Sequence, residues 1–353
     1  MTLTSPATSP ASRADPRVLA RGRAARLGAG LLVLFGVLVL VAFVSITLGS
    51  RAVTLSTVVQ AFVDYDPAST SQTVVREMRV PRTLLGVLAG AALGASGAIL
   101  QGVTRNPLAD PGIMGINAGA AALIVTGVLV LGVGSAVSLW LAFLGAGAAM
   151  VVVYGIASLG REGATAVKLA LAGAAVTAGL TSYTSGVVMT HIEALDQLRF
   201  WQVGSLAGRY GPVLARTAPF LLLGLLVALL VGRLLNGLAL GEDVARGLGQ
   251  RVGWARALMF VTVAVLCGAA TAACGPIVFV GLVVPHLARL VCGPDYRWVM
   301  AYSVLLAPVL LLGADVLGRV LGSPGEVQVG VVLGVLGAPA FIALVRFRDL
   351  AEL

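Results

Sequence analysis

Side chains able to make or break bonds are scarce in this chain. Its single lysine, Lys168, follows Gly163-Ala164-Thr165-Ala166-Val167. That run lacks the G-x-x-x-x-G-K-[ST] frame of a phosphate-cradling loop, so the chain should not hydrolyse ATP by itself. With only two histidines, His191 and His286, an H-E-x-x-H zinc motif is excluded. Cys267, Cys274 and Cys292 fit no zinc or redox spacing and read as small apolar residues. Gly94-Ala95-Ser96-Gly97 spells the G-x-S-G of an intramembrane serine protease, with His286 as its base. A serine nucleophile needs a histidine within hydrogen-bond reach. Leu290 stands where the asparagine of H-x-x-x-N would follow, and helix packing accounts for the small residues, so the protease is the remote alternative.

The elements that must carry these residues are set by composition. Of 353 residues, 58% are hydrophobic and 11% charged, against about 25% charge in a soluble domain. The chain reads as an all-α polytopic membrane protein, its 45 glycines suiting closely packed helices better than a barrel. A span takes roughly 20 residues, and ten stretches qualify: 28–48, 82–103, 112–132, 136–158, 166–190, 213–236, 255–274, 277–292, 299–318 and 328–346. The eighth is short and contains Pro285. Residues 1–27, rich in Ser, Pro, Ala and Arg, read as a disordered cytoplasmic tail ahead of a transmembrane domain at 28–353. Placing both ends inside puts 16 of the 24 Lys and Arg on the inner side, which favours an N-in, C-in orientation. The net charge of +9 is scattered through short loops, and this bias explains it better than nucleic acid does. Two GxxxG pairs, Gly90/Gly94 and Gly330/Gly334, suit close helix contact.

Several segments are more specific. Arg79-Val80-Pro81-Arg82 opens the second stretch. Asn106-Pro107-Leu108-Ala109-Asp110-Pro111 brackets a polar pair with prolines and reads as an ordered turn. Leu240-Gly241-Glu242-Asp243-Val244-Ala245-Arg246-Gly247-Leu248-Gly249 lies in the longest inner loop, with acids in the first turn of a short helix and glycines at its end. Further segments are Asp196 through Leu206, Gly275 through His286, Ala314-Asp315, Gly318-Arg319, Pro324-Gly325-Glu326 and Gly337-Ala338-Pro339. In this order they closely resemble the type II permease family of ABC importers for iron chelates, haem and vitamin B12. The run Asp196–Leu206 and the Pro324-Gly325-Glu326 turn are most similar to ferric-enterobactin permease subunits.

The resemblance implies a role for each segment. Arg79, Arg82 and Arg319 would receive acidic residues of a substrate-binding protein, for which the guanidinium fork is suited. Gly241, Glu242, Asp243, Ala245, Leu248 and Gly249 would form the coupling segment, 240–249, that docks on an ATPase subunit. Asn106 and Leu108 would close the inner mouth of the pathway. Thr181, Ser182, Thr184 and Ser185 of the fifth stretch are candidate pathway lining. Ala245 and Leu248, three apart, would share one face. The implied assembly pairs this chain with a second permease subunit, more in keeping with a heterodimer, in the cytoplasmic (inner) membrane. It adds two ATP-binding subunits and a binding protein carrying a ferric siderophore; haem or cobalamin are the alternatives. The chain itself would need no cofactor and no metal. The spans are almost free of charge at mid-depth, which disfavours an ion-driven secondary transporter.

Overall fold

Backbone groups in hydrocarbon must satisfy one another, and here they do so in helices. In the computed structural model, which describes residues 16–49, 53–132, 135–159 and 164–347, every regular element is helical. Helices α1 (Pro16–Thr47), α2 (Leu55–Val63) and α3 (Thr70–Thr73) precede a π-helical turn, Val74–Arg79, that runs directly into α4 (Val80–Thr104). A 3-10 turn, Pro111–Met114, leads to α5 (Ile116–Leu131), α6 (Ser135–Ala157) and α7 (Ala166–Thr190). Then come α8 (Ile192–Gln202), α9 (Gly211–Leu230), α10 (Gly232–Ala239) and α11 (Glu242–Gly247). Helices α12 (Val252–Cys274), α13 (Val280–Cys292), α14 (Tyr296–Leu321) and α15 (Val329–Phe347) complete the bundle.

Each of the ten apolar stretches falls mainly on helix. Seven helices are long and apolar enough to cross a membrane, while α5, α13 and α15 hold shorter apolar stretches. Three differences from the sequence reading have physical causes. Residues 16–27 of the supposed tail are helical, because Pro16 suits a helix start and the following Ala and Arg residues are good helix formers. Residues 1–15 lie outside the described residues, as do Arg51 and Arg161 of the charge count. The stretch 213–236 breaks at Val231, where Gly232 lies close to the backbone of Tyr296 and Arg297 and α10 turns away. The eighth stretch begins in non-helical backbone that runs from Gly275 (φ 75°) to a left-handed Phe279 (φ 69°), and α13, at 13 residues, spans only about 20 Å. The short α2, α3 and α8 were not anticipated at all.

Helix α4 is the hub. It packs on α14, α12, α13 and α9, and nearly all of its residues from Ala89 to Val103 are buried. Small residues allow this contact, since lipid gives no hydrophobic drive between helices. A Cβ built on Gly90 would lie 2.7 Å from Pro308 Cα, and one on Gly94 2.7 Å from the Ser303 carbonyl. The other GxxxG is only half engaged: Gly330 lies against the Val203 carbonyl, whereas Gly334 has open space around it. Gly90→Val should therefore destabilise the bundle by about 1–3 kcal/mol through overpacking, while Gly147→Ala, with nothing near its Cβ position, should not. Thermal unfolding of the two variants in detergent would show the contrast.

Candidate functional site

At one end of the bundle α1 finishes at Thr47, leaving its last carbonyls without intrahelical partners. Two arginines supply them. Arg79 Nη1 donates to the carbonyls of Ile46 (2.9 Å) and Thr47 (2.7 Å). Arg319 Nη1 donates to those of Ser45 (2.8 Å) and Leu48 (2.7 Å), and its Nη2 to Ser45 Oγ (2.8 Å). Cations at a helix C-terminus are also favoured by its dipole. Arg319 pairs with Asp315 at 3.1 Å, and both side chains are only 2% exposed. Asp315 in turn holds Arg82 by two bonds, from Nε (3.1 Å) and Nη2 (2.8 Å). The remaining Arg82 Nη1 reaches Glu326 at 2.8 Å.

The three arginines singled out for docking thus converge, but two of them do not face outward. Arg79 and Arg319 are buried, bound to α1 carbonyls 32 or more residues away in sequence, which no local pattern discloses. Around them lies a cavity of about 400 Å³, lined by Arg79, Arg82, Arg319, Glu326 and also Arg209 and Tyr210. Arg209 was missed in the sequence; the available signal was an Arg-Tyr pair directly before the Gly211-Pro212 helix start.

A second cavity, about 280 Å³, lies against α7. Thr181, Thr184 and Ser185 line it with Asn117, Thr177, Trp201, Gln202 and Pro276. Ser182 is exposed on the same helix but is not part of this lining. Pro276 belongs to the non-helical stretch before α13, which packs tightly on the turn after α8: a Cβ built on Gly275 would lie 2.2 Å from the Trp201 carbonyl and one on Gly204 2.2 Å from the Pro276 carbonyl, and Ser205 N donates to the Cys274 carbonyl at 2.7 Å just ahead of it. Irregular backbone at membrane depth is tolerated where protein buries it or where it borders a cavity. Helix α7 is also the least apolar of the seven long helices and leaves most of its surface uncovered, including Thr181, Ser182 and Ser185.

At the other end of α4, about 37 Å away by helix rise, the polar turn closes on itself. Arg105 takes a left-handed conformation (φ 50°), Asn106 Oδ1 accepts from Leu108 N at 2.9 Å, and Asp110 Oδ1 accepts from Gly112 N at 2.7 Å. Leu108 is exposed. Nearby, α11 begins after Gly241 (φ 115°), and Gly249 (φ 80°) ends the turn that follows it. Its acids are partnered within the chain: Glu242 with Arg246 (2.9 Å) and Arg256, Asp243 with Arg246 (3.0 Å). Ala245 and Leu248 do not share a face. Ala245 is fully buried, while Leu248 is 66% exposed and Val244 47%. The cause is that the helix ends at Gly247, so Leu248 is already its cap and projects with Val244.

Ser96 is fully buried, and among the described residues its hydroxyl makes no hydrogen bond to a histidine that could activate it. Among the described residues no group of His, Cys, Asp or Glu is placed to hold a metal ion.

An all-helical membrane bundle with an interrupted helix beside a polar cavity, and no phosphate-binding frame, has the makings of a translocation subunit, an integral membrane permease. The chain belongs to the FecCD transport family, whose pattern matches residues 37–347. It is 44% identical over 318 residues to the ferric enterobactin transport system permease protein FepD of Escherichia coli (strain K12), covering 90% of this chain and 94% of that protein. It is 40% identical over 303 residues to the siderophore transport system permease protein YfiZ of Bacillus subtilis (strain 168), covering 86% and 91%. Among solved structures, a metal-chelate type ABC transporter in an inward-facing conformation superposes with a TM-score of 0.80 at 27% identity, covering 90% of this chain and 99% of that one.

Proposed function

We propose that this chain is the membrane-spanning subunit of an ABC importer that moves a ferric siderophore of the catecholate type across the cytoplasmic membrane. The observation that carries the reading is the uncovered hydroxyl-bearing face of α7 beside the non-helical 275–279 stretch. Such a face is poorly matched to lipid and well matched to an aqueous path shared with a second permease subunit. The 44% identity to the ferric enterobactin permease supports the catecholate class, and the second permease subunit in this reading is a different chain. Two ATP-binding subunits, meeting α11 from the cytoplasm, supply the energy, and a binding protein delivers the chelate at the arginine end. The chain lies N-in, C-in and carries no cofactor of its own. It makes and breaks no bonds in the cargo; it alternates which side of the path is open.

Uptake of labelled ferric catecholate, ferric hydroxamate, haem and cobalamin by cells lacking this chain, with and without the gene restored, tests the substrate class. Restoration of ferric catecholate uptake alone is expected. Restoration of haem or cobalamin uptake instead would reassign the cargo.

A further inference from the structure

We propose that Glu326 holds the place of a partner carboxylate on Arg82, and that Arg209 is where the incoming carboxylate first lands. This rests on the reading that a binding protein docks at the arginine end.

Four guanidinium groups, Arg79, Arg82, Arg209 and Arg319, line the 400 Å³ cavity, against the single carboxylate of Glu326. Three of the four are committed: Arg79 and Arg319 to the end of α1, and Arg82 to Asp315. Arg209 has no hydrogen bond and no ion pair among the described residues, and its Nε is buried without a partner. An unsatisfied guanidinium in a cavity of positive excess is poised to accept an anion.

Arg82 is held rigid without Glu326. Its Nε and Nη2 both bond to Asp315, which is 2% exposed, so the fork keeps its direction if Glu326 leaves. Glu326 is replaceable by contrast. Its side chain is 28% exposed, sits in the turn between α14 and α15, and has Arg82 as its ion-pair partner. That turn is fixed by its backbone, with Val327 N donating to the Gly318 carbonyl at 3.0 Å, so it does not depend on the Glu326 carboxylate. The donor at Arg82 Nη1 is therefore one that a carboxylate on a protein loop already fits. An acidic side chain from a partner's loop reproduces the same contact, and Glu326 moves out into solvent as it arrives. Specificity for one binding protein then depends on outcompeting Glu326, a threshold that a mismatched acidic surface does not pass.

The test measures association of the purified substrate-binding protein with the complete transporter in nanodiscs, at low and moderate salt. Glu326→Gln should raise affinity about three- to tenfold, because the competing charge is gone. Arg209→Gln should slow association about tenfold, with a weaker salt dependence. The gain from Glu326→Gln should vanish in an Arg82→Gln background, a coupling that a merely structural glutamate would not show. Glu326→Asp, which keeps the charge but shortens the reach, should give a smaller gain and serves if the Gln variant assembles poorly. Unchanged affinity in Arg82→Gln would overturn docking itself. Weakened binding in Arg82→Gln together with no gain in Glu326→Gln would overturn the exchange while docking stands. An Arg209→Gln effect confined to nanodiscs with anionic lipid would make the cavity a headgroup site and overturn the landing role.

Discussion

Replacing Leu248 with Asp is expected to abolish uptake and the stimulated hydrolysis of ATP together, while the permease still inserts and binds its loaded binding protein. The expectation follows from what α11 presents. Ala245 is spent on internal packing, and Glu242 is held by Arg246 and Arg256, so the apolar surface left for an ATPase is Val244 and Leu248. Both are exposed at a helix cap that two positive-φ glycines fix in place. A carboxylate carried into an apolar cleft without a partner costs several kcal/mol, enough to disfavour the docked state. Val244→Asp should act alike. Asp243→Asn should act weakly, since Asp243 is almost fully exposed and its ion pair is with Arg246, itself a surface residue. ATPase rates and uptake in reconstituted vesicles give the readout. Parental rates in Leu248→Asp would move coupling to another loop.

Arg319→Gln is expected to be the most destabilising single change at the opposite end. It removes donors to two α1 carbonyls and to Ser45 Oγ and deprives buried Asp315 of one of its two cations. Breaking a buried pair from one side costs about 3–5 kcal/mol. The variant should show a large fall in thermal midpoint and in folded yield, before any effect on docking is measurable. Arg216→Gln, at an exposed position on α9, should leave the midpoint in place. A fully stable Arg319→Gln with weakened docking would instead return Arg319 to the outward-facing role that its sequence position suggests.

These two residues mark what was legible in the sequence. Helix positions were, because an apolar run of span length leaves the backbone few alternatives, and the start and stop glycines of α11 announce themselves locally. The Gly90/Gly94 contact was legible for the same reason. What the sequence withheld depends on contacts between distant elements. Arg79 and Arg319 look like surface anchors until the end of α1 is seen beneath them. The break at Val231 exists because Gly232 meets the start of α14. The non-helical stretch 275–279 looks like the start of a span because its residues are apolar, while the backbone it packs against, at Trp201 and Gly204, lies far away in sequence. For Arg209 the one local signal was its place beside Tyr210 ahead of the Gly211-Pro212 helix start; that it faces the other arginines depends on elements far away in sequence.

Carriage of a ferric siderophore by this chain, with energy supplied from another subunit, is tested most directly in proteoliposomes that hold this permease, its partner and the ATPase subunits, with binding protein and labelled ferric catecholate outside. Accumulation that requires both binding protein and enclosed ATP, and that is indifferent to proton and sodium gradients, is the predicted result. Accumulation without ATP that collapses when an ion gradient is dissipated would contradict it.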